Sequence, residues 1–418
     1  MYGQQRVRIV FVMLIALMCL AGIAQARQKV SIIGPFTGWG DSLQEALNTF
    51  AHRHDVDVEL INTPGWTQTR EKAAAMAAAG VPPDVLYGDG TAIGFYAGQH
   101  ISQPLDALIA RDIDYKRYPA AVRELFLIKG KLWALPTALS LHNTYYRPEL
   151  FNQMGLSPIS RDWASDDFTW DDFVNLARKL TRDLDGDGQT DQYATQAFGA
   201  GGGMTMLGMW GLNLVDYELT RFLGNTPEVI EALEKTTSLW TVHRAVGGNF
   251  MASTAAMYPV QSYFLNNLSR VSPDFDWAVG IMPKGTHRAN QAGFQGLALA
   301  GETPNAELAW KLLKYLAYDT EGAIPFTRAE NRVPVLPDTG RDFIRRWSSV
   351  VSPQDVQAIT DGISYVYDTL TWRHPNINEI HVKTMAAGDR ATRGDVSVRQ
   401  AMEEVAPTIN ALLRDGSY

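Results

Sequence analysis

An acidic run near the middle of the sequence has the spacing of a calcium-binding loop. It reads Asp183-Leu-Asp185-Gly-Asp187-Gly188-Gln-Thr-Asp191, with acids at positions 1, 3, 5 and 9 and glycine at position 6. Carboxylates on alternate residues can converge on Ca²⁺, and the glycine permits a sharp turn. The bidentate glutamate usual at position 12 is replaced by Ala194, so a metal-free acidic turn is the alternative. Either role is structural.

Side chains that could catalyse a reaction are arranged less specifically. None of the eight histidines stands in an H-E-x-x-H motif, and the sequence contains no G-x-S-x-G motif. Asp166-Asp167 and Asp171-Asp172 flank Trp170 and could supply paired carboxylates for glycoside hydrolysis. At a predicted helix start they are better explained as capping acids that the helix dipole favours. We expect a protein without enzyme activity; an exported carbohydrate-active enzyme is an alternative.

Aromatic residues beside predicted loops and strand ends are the positive signal for binding. An aromatic ring can stack on the apolar face of a sugar while acids, amides and arginines bind its hydroxyls. Asp89 follows a predicted parallel strand, at the edge where open α/β sheets bind ligands. Each ring could equally belong to an ordinary core. The rings in such positions are Trp39, Trp66, Trp210, Tyr258, Trp277 and Trp372.

Composition excludes several classes of protein. The 418 residues are 46% hydrophobic and 20% charged, with a formal net charge of -8. No basic surplus exists to neutralise phosphates, so we expect no nucleic-acid partner. Cys19 is the single cysteine, which excludes a disulfide scaffold, a zinc ribbon and a four-cysteine iron–sulfur cluster.

The first 26 residues have the pattern of a secretory signal peptide. Arg6 and Arg8 precede an apolar run, Ile9–Ala24, which ends in Ala24-Gln25-Ala26. An uncleaved anchor and a lipoprotein cysteine at Cys19 are the alternatives. Cleavage after Ala26 removes two arginines and no acid, so the formal charge changes from -8 to -10. We expect an exported, periplasmic protein that is soluble and lacks cysteine.

Strand and helix signals alternate in the early mature sequence. Strand-like runs are Lys29–Gly34, Val56–Leu60 and Asp84–Tyr87, and helical runs are Asp41–His54 and Arg70–Ala79. This alternation predicts βαβ units and a mostly parallel sheet.

Later segments continue the α/β pattern. Asp171–Thr181 and Pro227–Val242 have helical periodicity, and Gly199–Gly203 between them predicts a flexible loop. Strand-like sequence returns at Phe275–Met282 and Gly296–Ala300.

Several short segments of the sequence resemble those of a known family. The chain is similar to the extracellular solute-binding proteins (family 1) of ABC sugar importers, the group that includes maltose-binding protein. The order and spacing of the shared segments carry this resemblance over nearly the whole mature chain. These segments are Ala79-Gly80-Val81-Pro82-Pro83-Asp84-Val85, Pro104-Leu105-Asp106, Gly130-Lys131-Leu132-Trp133-Ala134-Leu135-Pro136, Thr169-Trp170-Asp171-Asp172-Phe173, Asp185-Gly186-Asp187-Gly188 and Ala309-Trp310-Lys311.

The resemblance implies a type II periplasmic binding protein fold, with two interwoven α/β lobes and a central cleft. It places the N-terminal lobe at residues 27–138 plus 283–332 and the C-terminal lobe at 139–282 plus 333–418. The crossings between lobes would lie near Pro136–Tyr145, Ala278–Pro283 and Arg332–Leu336.

The resemblance also implies the function and the binding residues. A monomer would capture a mono- or oligosaccharide and deliver it to the membrane subunits of an ABC permease. Glycerol phosphate or another polyol-type solute is the alternative ligand. Calcium is the one cofactor that the sequence suggests. The implied ligand contacts are Trp39, Asp89, Trp210, Tyr258, Gly293, Trp372 and Arg373.

Overall fold

The computed structural model describes residues 27–271 and 273–415, and the predicted signal peptide lies outside them. The fold is α/β, as the sequence predicts. The strands are β1 (Lys29–Gly34), β2 (Asp57–Asn62), β3 (Val85–Asp89), β4 (Ser102–Gln103), β5 (Leu127–Ile128), β6 (Lys131–Leu132), β7 (Leu135–Tyr146), β8 (Tyr193–Thr195), β9 (Ala255–Gln261), β10 (Ala278–Gly280), β11 (Asn290–Ala300), β12 (Val333–Pro334) and β13 (Val366–Tyr367).

Helices alternate with these strands. They are α1 (Asp41–His54), α2 (Trp66–Ala78), α3 (Gly90–Gly98), α4 (Asp106–Asp112), α5 (Pro148–Gln153), α6 (Trp170–Leu180), α7 (Pro227–Thr241), α8 (Phe264–Val271), α9 (Ala306–Ala317), α10 (Thr320–Glu330), α11 (Pro337–Trp347), α12 (Pro353–Asp361), α13 (Ile377–Thr392) and α14 (Val398–Asp415). Among helices of the described residues, none has both the length and the hydropathy needed to cross a membrane.

The main sheet has the strand order β2-β1-β3-β11-β7-β9-β8. Strands β1, β2 and β3 are parallel because helices α1 and α2 connect them on crossover paths. β11 lies between β3 and β7 and is antiparallel to both. The carboxyl end of β3 therefore lies beside β11, and this edge holds Asp89.

Strand β7 belongs to both halves of the sheet. Its first half, through Leu141, pairs with β11, and its second half, from His142, pairs with β9. All twelve residues are buried, so one continuous strand passes from the first lobe to the second. The crossing that the resemblance implied, Pro136–Tyr145, lies along this strand and stays a prediction.

The segment that follows β10 keeps contacts with the residues assigned to the second lobe. Lys284 and His287 still make backbone hydrogen bonds to second-lobe residues, Phe168 and Met209. The chain joins the first-lobe sheet only along β11. The residue ranges of the two lobes stay a prediction.

Buried apolar side chains of the described residues form three clusters. One fills the first lobe and the strands shared by both lobes, and includes Phe50, Leu86 and Trp310. The second lies around Phe173. The third holds α7, α13 and α14 together around Leu233. The second lobe thus has two packed regions. The segment Gly201–Trp210 contributes side chains to both regions and reaches the cleft.

Candidate functional site

A cleft of about 460 Å³ lies between the two halves of the molecule. Its volume falls in the range of about 300–1,000 Å³ that is usual for small-molecule sites. The polar residues that line it are Asp89, Thr91, Ser140, Thr205, Asn213, Gln261, Gln291, Gln295, Arg332, Thr369, Thr371 and His381. The large apolar and aromatic residues that line it are Trp66, Met204, Leu207, Leu212, Leu214, Tyr263, Phe294, Trp372, Ile377 and Met385.

Asp89 lies at the carboxyl end of β3, at the edge of the cleft. Its Oδ1 caps helix α3, since it accepts hydrogen bonds from the Ala92 backbone N–H at 2.8 Å and the Thr91 hydroxyl at 2.7 Å. Its Oδ2 has no hydrogen-bond partner among the described residues. One oxygen therefore holds the helix, and the other is available to a ligand.

A row of three residues on β11 faces the cleft on the same side of the strand. Gln291, Gly293 and Gln295 alternate, and side chains at such positions point the same way. Gln295 is the register partner of Asp89 on β3. A Cβ added at Gly293 would come within 3.3 Å of the Gln261 amide nitrogen. The missing side chain at Gly293 thus leaves room for that amide.

Two amides of this row have unused hydrogen-bonding capacity. The Oε1 atoms of Gln291 and Gln295 are buried and have no partner among the described residues. Gln295 is only 5% exposed. A buried amide oxygen without a partner costs about 1–3 kcal/mol, so a ligand that supplied hydrogen-bond donors here would recover that free energy once the amide rotates toward the cleft.

A single guanidinium adds positive charge to the cleft lining. Arg332 directly precedes β12, which pairs with β7. Its Nε donates to the Ser140 hydroxyl at 3.1 Å, and its Nη1 donates to the Glu330 carbonyl at 3.3 Å. These bonds fix the guanidinium, with its net charge facing the cleft.

A buried carboxyl group lies close to Arg332. Glu330 Oε1 accepts from the Tyr87 hydroxyl at 2.6 Å and the Thr137 hydroxyl at 3.0 Å, while Oε2 has no partner among the described residues. Burial raises the pKa of Glu330 from 4.5 to about 7, and the positive charge of Arg332 opposes that rise.

Glu330→Gln should make stability less dependent on pH. The folded state holds the Glu330 proton with a pKa near 7 and the unfolded state releases it near 4.5. Between these values the unfolded state binds fewer protons, so this group destabilises the fold as pH rises. We expect the variant to gain stability relative to the wild type from pH 5 to pH 8 in chemical unfolding. A constant difference across this range would contradict the assignment.

Trp372 borders the cleft from a short 3₁₀ segment, Leu370–Arg373. Its ring packs edge-on against Phe126 and Phe294, and its Nε1 donates to Asp368 at 2.8 Å. A Cβ at Gly94 of α3 would collide with the Trp372 carbonyl oxygen. Glycine there lets α3 approach this segment and positions the indole.

The second lobe contributes a segment that the sequence analysis described incorrectly. Gly199–Gly203 was expected to be a flexible loop, but Gly201, Gly202 and Gly203 are buried. The Gly202 carbonyl accepts from the Thr236 hydroxyl at 2.7 Å. Left-handed φ angles at Gly199, Gly201, Gly202 and Gly203 permit this close packing, which brings the following residues to the cleft.

Asp89, Gly293 and Trp372, three of the seven implied ligand contacts, line the cleft together. Trp39 instead packs edge-on against Phe36, Tyr87 and Phe326. It lies outside the cleft because its loop folds back on the first-lobe core.

The other three implied contacts also lie outside the cleft lining. Tyr258 packs edge-on against Phe264. Trp210 packs against Trp170 in the second-lobe core. Arg373 is 6% exposed and forms an ion pair with Asp368. Trp210 and Tyr258 are half-buried, and direct ligand contact by all three side chains stays a prediction.

Several lining residues were missed by the sequence analysis. Tyr263, which is 42% exposed, stands at the rim. Trp66, which begins helix α2, was among the candidate rings but not among the implied ligand contacts. Gln291 and Gln295 could have been found from Gly293 by two-residue strand alternation. Arg332 carried no local signal.

The acidic loop after α6 can bring carboxylates together. One oxygen from each of Asp183, Asp185 and Asp187 lies within 4.8 Å of the others, and all three residues are exposed. Asp183 also accepts from the backbone N–H groups of Gly186 and Gly188, which lowers its pKa. This donor set fits Ca²⁺ in chemistry, but these bonds also satisfy a metal-free turn.

Calcium should raise the melting midpoint if the loop is a metal site, because a ligand that binds only the folded state stabilises it. Asp185→Asn should then reduce the rise. Equal midpoints with calcium and with a chelator would assign the loop to the metal-free turn.

The model of a family described as bacterial extracellular solute-binding protein matches residues 34–321 of the chain. A search of curated proteins found no match.

Solved structures share the overall fold at low sequence identity. An ABC substrate-binding protein from Listeria monocytogenes, in complex with cycloalternan, is 19% identical with a TM-score of 0.76, over 93% of this chain and 99% of that one. The sugar-binding protein MalE from Xanthomonas citri is 17% identical with a TM-score of 0.77, over 93% and 98%. An ABC transporter solute-binding protein from Thermotoga lettingae, bound with α-D-tagatose, is 18% identical with a TM-score of 0.70, over 92% and 99%. These similarities show the two-lobe architecture.

Proposed function

Since the chain belongs to the family of bacterial extracellular solute-binding proteins, we propose that it is the substrate-binding component of an ABC importer. Its cleft captures a mono- or oligosaccharide and delivers it to a membrane permease. The proposal includes export to the periplasm after cleavage at Ala26 and action as a monomer without a nucleic-acid partner.

One observation carries the sugar assignment. The cleft combines an unshared carboxylate oxygen on Asp89 with the rings of Trp66 and Tyr263, beside the nearly buried Trp372. A carboxylate accepts hydrogen bonds from hydroxyls, and aromatic rings cover the apolar faces of sugar rings. The cycloalternan and tagatose in similar structures support the same class of ligand.

Ligand contacts on both sides of the cleft would link sugar binding to delivery. Asp89 and Gln295 belong to first-lobe strands, whereas Leu214 and Met385 belong to the second lobe. A ligand that touches both sides binds the closed form better and shifts the population toward it. The permease would recognise this closed form.

A phosphate-bearing polyol is the second candidate, and Arg332 is the observation that favours it. However, the guanidinium is already hydrogen-bonded to Ser140 and to a backbone carbonyl. A phosphate would also meet the negative charge of Asp89. Among the described lining residues, Asp89 and Arg332 are the charged pair and carry opposite signs, which favours a neutral ligand.

Binding without turnover fits the placement of the carboxylates. Asp166 pairs with Lys284, and Asp172 forms a capping box with Thr169 at the start of α6. Asp89 is the one carboxylate among the described residues that line the cleft. Glycoside hydrolysis uses two carboxyl groups, so we propose that the protein is not an enzyme.

A thermal-shift screen against mono- and oligosaccharides, polyols and glycerol phosphates tests the proposal. We expect a neutral sugar to raise the melting midpoint and to change tryptophan fluorescence, with the added sugar recovered intact. A shift with glycerol phosphate alone would support the second candidate. Hydrolysis of the added oligosaccharide would overturn both in favour of an enzyme.

A further inference from the structure

We propose that the natural ligand is amphipathic, a sugar that carries an apolar substituent, and that this substituent lies against the second-lobe side of the cleft. The inference rests on the proposed function and narrows its ligand class. Its basis is an aliphatic surface, called here the aliphatic wall. The wall consists of the half-buried Leu212, Leu214 and Met385, with the nearly buried Met204, Leu207 and Ile377 packed behind them.

Two helical faces and one loop build the aliphatic wall. Ile377 and Met385 stand two turns apart on one face of α13, with His381 between them at the rim. Met204 and Leu207 are three residues apart in the helical segment that follows the glycine-rich turn. The wall is thus held by packed elements and not by a mobile loop.

Two polar side chains beside the wall each make one hydrogen bond within the protein. The Thr205 hydroxyl accepts from the Ala200 backbone N–H at 3.1 Å, and the Asn213 amide donates to the Tyr367 hydroxyl at 3.2 Å. The unpartnered acceptors lie on the opposite side of the cleft, on Asp89, Gln291 and Gln295. The second-lobe side of the cleft is therefore the more apolar of the two, with Thr205, Asn213 and His381 as polar residues beside the wall.

This division determines which ligand fits best. A sugar ring against the wall would leave hydroxyls buried without partners, which is unfavourable. An alkyl or aryl group in the same place would bury its apolar surface against the wall, which makes the free energy of binding more favourable. Methionine side chains adapt to irregular shapes, so Met204 and Met385 could accept apolar groups of different outline.

Matched glycosides provide the test. Calorimetric titration would compare the methyl, phenyl and n-hexyl glycosides of glucose, galactose and mannose, in both anomers, with the free sugars. For the sugar that binds, we expect the phenyl or hexyl glycoside to bind at least about tenfold more tightly than the methyl glycoside.

Variants of half-buried wall residues make the test specific to this surface. Leu214→Asn and Met385→Gln should remove most of the gain from the apolar group while the methyl glycoside keeps its affinity. Leu308→Asn is the matched control, because Leu308 is half-buried on α9 and away from the cleft. This variant should retain the full gain.

The possible failures are distinguishable. Equal affinity of methyl, phenyl and hexyl glycosides would overturn the amphipathic ligand and leave sugar binding in place. A gain that survives both wall variants would place the apolar group elsewhere and overturn the role of the wall. If neither free sugars nor glycosides bind, the result would contradict the proposed function and, with it, this inference.

Discussion

Replacing Asp89 by asparagine is expected to lower sugar affinity about 10- to 100-fold and to leave the melting midpoint of the unliganded protein nearly unchanged. A hydrogen bond to a charged group contributes about 1.5–3 kcal/mol, and about 1.4 kcal/mol corresponds to tenfold in affinity. Asparagine keeps one oxygen, which can still cap α3 at the Ala92 N–H. It replaces the free carboxylate oxygen with a donor.

Asp89→Ala separates the two roles of this side chain. The alanine variant loses the ligand contact and the cap, and loss of an N-cap costs about 1 kcal/mol. We therefore expect both variants to bind weakly but only the alanine variant to melt earlier. Calorimetric titration and thermal melts of the two variants would measure this. Unchanged affinity in Asp89→Asn would remove Asp89 from the ligand site.

Replacing Gln295 by methionine is expected to have effects of opposite sign on the free and bound protein. Methionine has a similar volume but no amide, so it removes a buried group that has no partner among the described residues. The unliganded protein should gain about 1 kcal/mol, or about 2 °C in melting midpoint. The affinity for the sugar should fall about tenfold, because the ligand loses a hydrogen-bond partner.

Gln192→Met is the matched control for this substitution. Gln192 is 7% exposed, and its amide donates to the Leu180 carbonyl at 2.8 Å, away from the cleft. Its replacement should lower the melting midpoint and leave the affinity unchanged. If Gln295→Met also melts earlier, the Gln295 amide has a structural partner in the free protein and the argument fails.

Most of the early fold could be predicted from local pattern. The predicted helix Asp41–His54 forms with those bounds, and its apolar residues, including Leu43 and Phe50, are buried. Asp172, one of the acids predicted to cap a helix start, does so in a capping box with Thr169. These features depend on residues a few positions apart, so the sequence contains the information directly.

The candidate site could be predicted only in part. Asp89 was found because a polar residue directly after a buried parallel strand lies at the ligand-binding edge whatever its neighbours are. Gly293 was found through the resemblance, yet Gln295, two residues on, was missed. Its importance depends on pairing with Asp89 across two strands that are distant in sequence.

The sequence by itself thus determined the alternation of strands and helices, the family resemblance and the placement of Asp89, because each follows from short-range spacing. Only the tertiary structure decided which rings reach the cleft. Trp39 and Trp372 both occupy loop positions, and a large ring gains free energy from a core as readily as from a ligand. Long-range packing against Tyr87 holds Trp39 half-buried and away from the cleft, whereas the close approach at Gly94 places the nearly buried Trp372 at the cleft border.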